Sequence, residues 1–265
     1  MYDFAYHRPK TLAEAQAALK GKPEARPMSG GMTLIPTLKQ RLAKPSDVVD
    51  LGGIKELAGI KVEGSGVTIG GMTKHYDVAS SADVKKTIPA LAGLAAHIGD
   101  PAVRNRGTIG GSVANNDPAA DYPAAVLALN ATINTTAGKH TADSFFKGLF
   151  ETALKDGELI TSISFPKADK AAYMKFPNPA SRYAMVGVFV AKTGNNVRVA
   201  VTGAGPCVFR IKAMEDALAK NFTSAAIKDI KIPADGLNSD IHGSAEYRAH
   251  LVNVMARRAV DAANK

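Results

Sequence analysis

The residues with the strongest claim to chemistry are Arg104-Asn105-Arg106-Gly107-Thr108-Ile109-Gly110-Gly111-Ser112, followed by Asp117-Pro118-Ala119-Ala120-Asp121. Adjacent glycines remove the Cβ atoms that would hold a ligand away, and they permit positive φ, so consecutive N–H groups can turn toward an anion. Thr108 and Ser112 add hydroxyls. Arg104 and Arg106 suit bidentate phosphate contacts, or else they pair with Asp100 or Asp117. Asp117 and Asp121 have three readings: paired carboxylates of a hydrolase, dipole partners at a helix start, or acceptors for ribose or ribityl hydroxyls. Ser29-Gly30-Gly31-Met32-Thr33-Leu34 is a second cradle, which leaves a strand and enters a helical segment. The third glycine pair, Gly70-Gly71, reads as a strand-to-helix turn without a ligand. Two anion-binding turns in one chain suit a long ligand with a diphosphate in its middle.

Other chemistries find no support. There is no Gly-x-Ser-x-Gly elbow, no Walker motif, and no Gly-x-Gly-x-x-Gly opening a helix. Six histidines show no ligand spacing, and the single cysteine, Cys207, can ligate neither an iron–sulfur cluster nor a Cys/His zinc site. The formal charge of +9 is spread over dispersed lysines without interleaved aromatics, so it reads as a solvated surface and not a nucleic-acid face. No apolar run approaches the roughly 20 residues that span a bilayer. The cytoplasm is the expected compartment, with association at the inner face of a membrane left open.

Periodicity supplies the elements that must position these turns. Residues 2–6 alternate as a first strand, and a helix follows Thr11, with Glu14 at capping-box spacing. Residues 25–28 and 46–51 read as strands. Residues 60–69 read as a hairpin with Gly64, Ser65 and Gly66 at its tip, and 88–98 as a buried helix. A core helix at 122–129 and strands at 131–136 and 158–165 come next. The Lys- and Pro-rich stretch 167–179 reads as a domain boundary. Beyond it, strands at 184–192, 196–201 and 208–211 and helices at 212–219 and 245–263 are expected, the last with Arg248, Arg257 and Arg258 facing outward. The fold class is α+β.

The two glycine stretches resemble the FAD-binding medium subunits of molybdenum hydroxylases, the family of carbon monoxide dehydrogenase, xanthine dehydrogenase and aldehyde oxidase. So do Tyr6-His7-Arg8-Pro9-Lys10-Thr11-Leu12 at the opening, Ile69-Gly70-Gly71-Met72-Thr73 in the middle and Met255-Ala256-Arg257-Arg258-Ala259 near the close. The resemblance covers the whole chain. It implies a two-lobed FAD-binding domain (PCMH-type) over residues 1–167, with lobes at about 1–55 and 56–167, and a C-terminal domain over 168–265 built from a three-stranded antiparallel sheet and helices. It implies that the FAD diphosphate is held by Ser29, Gly30, Gly31, Met32, Thr33 and Leu34 and by Gly107, Thr108, Ile109, Gly110, Gly111 and Ser112, largely through backbone N–H groups. Asp121 would then meet the ribityl chain, and Tyr183 would lie by the isoalloxazine ring. It also implies a large subunit with the molybdenum cofactor and a small subunit with [2Fe–2S] clusters, in a dimer of heterotrimers in which FAD passes electrons to an external acceptor. A stand-alone FAD-dependent reductase is the alternative. Ser29, Met32 and Thr33 depart from the carbon monoxide enzymes' usual Ala-Gly-Gly-His-Ser, which leaves the substrate of the complex open.

Overall fold

The computed structural model describes residues 1–64 and 66–265, so the expected hairpin tip at Ser65 lies outside the described residues. The first lobe comprises β1 (Ala5–His7), α1 (Leu12–Leu19), β2 (Arg26–Met28), α2 (Leu34–Lys39) and β3 (Asp47–Asp50). Its sheet is parallel, in the order β1-β3-β2. Parallel neighbours need crossovers, and the central strand is enclosed, which accounts for the buried Val48 and Val49 of β3. Thr11 caps α1 by accepting the Glu14 N–H at 3.2 Å. The Glu14 carboxylate reaches back to the N–H of Lys10 at 2.8 Å instead of that of Thr11, so the expected capping box is displaced by one residue.

The second lobe runs through β4 (Ile60–Glu63), β5 (Gly66–Gly70), α3 (His75–Ser80), α4 (Ala82–Thr87), α5 (Pro89–Ala96), α6 (Pro101–Arg104), α7 (Ile109–Asn115) and α8 (Tyr122–Ala128). It continues with β6 (Thr132–Thr135), β7 (Gly138–Thr141), α9 (Ala142–Phe145), β8 (Phe146–Gly148), β9 (Glu151–Thr152) and β10 (Ile160–Pro166). Five strands form an antiparallel sheet in the order β4-β5-β10-β6-β7. Ile163 pairs with Ile69 on one side and Ile133 on the other, a fully buried row across the sheet centre. Every residue of α8 is buried, as its unbroken apolar run requires. At the end of α7, Asn116 takes the left-handed conformation (φ 44°), and its amide donates to the carbonyls of Gly148 and Glu151, each at 2.8 Å. The glycine-bearing helix is thereby tied to the β8–β9 hairpin.

The C-terminal domain contains β11 (Lys170–Pro177), β12 (Ala184–Thr193), β13 (Asn196–Thr202), β14 (Phe209–Arg210), α10 (Lys212–Lys220) and α11 (Ala245–Ala263). Its sheet is antiparallel with four strands, β11-β12-β13-β14, and not the three expected from the resemblance. The added strand is β11, inside the Lys- and Pro-rich stretch read as the domain boundary. It is an edge strand, and lysines and a terminal proline are the residues such a strand carries in order to stay unpaired on its outer side. β12 is buried on both faces: Val186, Val188 and Val190 pack toward α11, while Phe189 and Ala191 join the core of the second lobe. Arg248 corrects a second expectation. It is buried at 4% exposure, donating to the carbonyls of Met185 (2.8 Å) and Gly203 (3.1 Å) and to Asp240 (2.8 Å), whereas Arg257 and Arg258 do face outward.

Candidate functional site

The three glycine pairs are built against one another. A Cβ on Gly30 would overlap the Arg106 carbonyl and stand 2.9 Å from the Gly107 Cα; one on Gly110 would stand 2.6 Å from the Gly71 oxygen. A Cβ on Gly111 would crowd the Thr108 hydroxyl at 2.9 Å. These glycines therefore let three backbone segments touch, and only secondarily admit a ligand. The Gly70-Gly71 turn is part of the assembly. Gly71 and Thr73 accept the N–H groups of Gly110 (2.9 Å) and Ile109 (3.0 Å), and the His75 N–H donates to Gly107 (3.0 Å).

Counting backbone donors separates the two cradles. In the second, the Gly111 N–H goes to the Thr108 hydroxyl (3.1 Å) and that of Ser112 to the Thr108 carbonyl (3.0 Å), so four consecutive N–H groups from Ile109 to Ser112 are committed internally. In the first, the N–H groups of Gly30, Gly31, Met32 and Thr33 meet no acceptor among the described residues. Gly31 sits at φ 75°, the geometry that turns successive amides inward. The first loop therefore offers backbone donors, and the second offers the Thr108 and Ser112 hydroxyls.

At the other end, residues 117–121 form a loop clasped by the C-terminal domain. The Thr202 hydroxyl, with one proton to share, lies 2.9 Å from the Pro118 carbonyl and 2.6 Å from that of Ala120, the Gly203 N–H goes to Pro118 (2.7 Å), and the Ala184 N–H to Ala119 (3.3 Å). Asp117 accepts the Ala119 N–H at 2.8 Å, so it closes a turn. α8 begins at Tyr122, so the two aspartates do not share a helix face. Asp121 accepts from Tyr173 (2.5 Å) and Lys175 (3.0 Å) on β11; burial pushes its carboxyl up, and Lys175 and Tyr173 only partly offset this. Tyr183 leaves a tight loop in which Asn178 accepts the N–H groups of Ala180 and Ser181, and it remains 47% exposed. Arg104 binds the carbonyls of Ile98 and Gly99 at 3.0 Å each and not Asp100 or Asp117.

These ends border one cavity of about 530 Å³, within the range of ligand sites. His75 also lines it, 5% exposed, with burial and then the Arg104 charge holding its pKa down at about 4. The unfolded imidazole titrates near pH 6.5, so below that pH the unfolded chain binds more protons than the native one. Stability is full above about pH 6.5 and falls as pH drops toward 4, by up to about 3 kcal/mol from this group. Denaturant melts at pH 7 and pH 4.5 check this: the wild type loses more stability than His75→Phe, and equal losses would contradict it.

The sequence matches the family model of the FAD-binding domain in molybdopterin dehydrogenase over residues 2–168 and that of the CO dehydrogenase flavoprotein C-terminal domain over residues 171–263. The chain belongs to the FAD-binding subunits of the molybdenum hydroxylases. It is 36% identical to the glyceraldehyde dehydrogenase medium chain of Sulfolobus acidocaldarius, covering 97% of each chain. It is 37% identical to the carbon monoxide dehydrogenase medium chain of Hydrogenophaga pseudoflava, covering 98% of this chain and 96% of the relative. A solved carbon monoxide dehydrogenase from the latter organism, in a form lacking the Mo-pyranopterin moiety of the molybdenum cofactor, superposes with a TM-score of 0.85 at 36% identity, over 98% of this chain and 96% of that one.

As an oxidoreductase flavin subunit, the chain has a cavity suited to FAD. The glycines let the backbone segments of its wall approach one another, and the N–H groups of residues 30–33 meet no protein acceptor among the described residues. Ser29, Gly30, Gly31, Met32, Thr33, Leu34, Gly107, Thr108, Gly110, Gly111, Ser112, Asp121 and Tyr183 all line it. Ile109 does not, because its side chain is fully buried in the second-lobe core. Gly71, His75, Ile98, Ser181 and Arg182 line it as well and were not singled out from sequence as ligand contacts. Only Gly71 carried a signal, as half of a glycine pair.

Proposed function

We propose that this chain is the electron-transfer subunit of a cytoplasmic molybdenum-containing hydroxylase or dehydrogenase. It would stand beside a large molybdenum-cofactor subunit and a small [2Fe–2S] subunit in a dimer of heterotrimers. FAD held here would supply the redox chemistry linking the partner's clusters to an external acceptor. Residues 1–167, in lobes at about 1–55 and 56–167, hold the nucleotide, and residues 168–265 complete the site. The observation that carries this reading is the asymmetric pair of glycine loops on one cavity: amides of residues 30–33 without a protein acceptor in the first, and the hydroxyl-bearing Thr108 and Ser112 in the second. Asp121 is assigned to the polar chain of the cofactor and Tyr183 to its ring. Two further observations are compatible with the assembly. The relatives above are each medium chains, and among the described residues no helix is long and apolar enough to cross a membrane.

The direct test is titration of the purified chain with FAD, read by quenching of flavin fluorescence. Saturable binding supports the reading, and a chain that takes up no flavin alone or co-expressed with its neighbours refutes it. Steady NAD(P)H turnover by the chain without partners would favour the stand-alone reductase. Tyr183→Ala separates cofactor contact from architecture. An exposed aromatic that only meets a ring contributes about 0.5–1.5 kcal/mol to its binding. FAD affinity is therefore expected to fall roughly two- to twelvefold, with the melting temperature unchanged.

A further inference from the structure

The two aspartates on the cavity wall differ in how much of each carboxylate the fold consumes. Asp121 gives one oxygen to Tyr173 and the other to Lys175, and it is only 5% exposed. Asp117 also lines the cavity, and one of its oxygens closes the turn by accepting the Ala119 N–H at 2.8 Å. Its second oxygen meets no donor among the described residues, yet it is not among the sealed polar atoms of this half-buried region. Lys175 pairs with Asp121 and leaves Asp117 without an ion-pair partner among the described residues. A turn of this kind needs one side-chain acceptor, which asparagine or serine supplies without a charge. A half-buried carboxylate costs more, and burial pushes that of Asp117 up, with only the Ala119 N–H opposing.

The residue is also fixed and aimed. The Ala120 N–H returns to the Asp117 carbonyl at 2.9 Å, and the Gly203 N–H holds the carbonyl of the next residue, Pro118, at 2.7 Å. Asp117 lies close enough to Tyr183 to act on its phenol, which is pushed up first by burial and then by the charges of Asp117 and Asp121. Resting on the assignment of FAD to this cavity and of Tyr183 to its ring, we propose that Asp117 is a further cofactor-binding residue. Its second oxygen accepts a hydrogen bond from an N–H or O–H group at the flavin end of FAD, beside Tyr183. A fixed anion there disfavours added electron density, so Asp117 holds the potential of the bound cofactor down.

Asp117→Asn keeps an acceptor for the Ala119 N–H and removes the charge. It is expected to weaken binding of oxidised FAD about tenfold and to raise the midpoint potential of the bound cofactor, without lowering the melting temperature of the cofactor-free chain. In wild-type protein carrying carbon-13 in its aspartate carboxyls, the Asp117 resonance moves when FAD is added. Wild-type FAD binding with that resonance unmoved overturns the assignment even where Asp117→Asn fails to fold. An unchanged affinity or an unmoved potential in folded Asp117→Asn overturns it too, and leaves Asp117 the closing of the turn alone. Failure of the wild type to bind FAD removes the underlying reading as well, so the two failures are distinguishable.

Discussion

Gly30→Ala is expected to abolish FAD binding and to destabilise the fold. The new methyl would be driven into the backbone of Arg106 and Gly107, which has no rotamer to yield. Overpacking a well-filled interior costs about 1–3 kcal/mol when side chains can adjust, and backbone contact puts this site at about 3 kcal/mol or more. Gly31→Ala is the control. There the penalty comes mainly from φ 75°, worth about 1–2 kcal/mol for an L residue, and the nearest neighbour is the flexible end of Ile35. Thermal melts with and without FAD rank the two. A Gly30→Ala protein that binds FAD normally and melts with the wild type would show that the two loops do not depend on each other's approach.

Lys175→Met is expected to destabilise the protein by about 3–5 kcal/mol, because it strands the Asp121 carboxylate in the seam between the domains. Both side chains are at most 6% exposed. The penalty belongs to the unpaired charge and not to a lost attraction, so Lys175→Met/Asp121→Asn should recover more than half of it. The pH dependence has a definite sign. With its partner removed, Asp121 has a native pKa raised further above its unfolded value, so the native state binds the proton more tightly, and stability falls as pH rises through that range. The deficit of Lys175→Met therefore shrinks as pH is lowered from 7 toward 4. A deficit that is constant with pH, and that the double variant does not relieve, would assign Lys175 a packing role only.

How far these features were legible in the sequence depended on whether the signal was local. α11 was readable to the residue, because nineteen residues repeat an apolar face and Ser244 caps their start. β11 was not, because an edge strand is written in the same Lys and Pro residues as a linker, and only its pairing with β12 over eight positions distinguishes them. Glycine pairs pointed to the cavity because they mark places where a Cβ is forbidden. They did not say what forbids it: Gly110 was placed against a diphosphate by resemblance, yet its immediate neighbour is Gly71. Arg248 read as a surface cation from helical periodicity, since nothing in the sequence announces the carbonyls of Met185 and Gly203 that receive it. Asp121 stood out, but its partners Tyr173 and Lys175 lie more than fifty residues away.

The clasp of Thr202, Tyr173 and Lys175 on residues 118–121 bears on inheritance. Two segments that match separate domain families share one wall of the cavity, so exchanging either alone is expected to disturb it. A chimera carrying a relative's C-terminal half would need a hydroxyl for the Pro118 and Ala120 carbonyls and a cation for Asp121, supplied in register from two different strands. Drift at one side of that seam would constrain what the other side can accept.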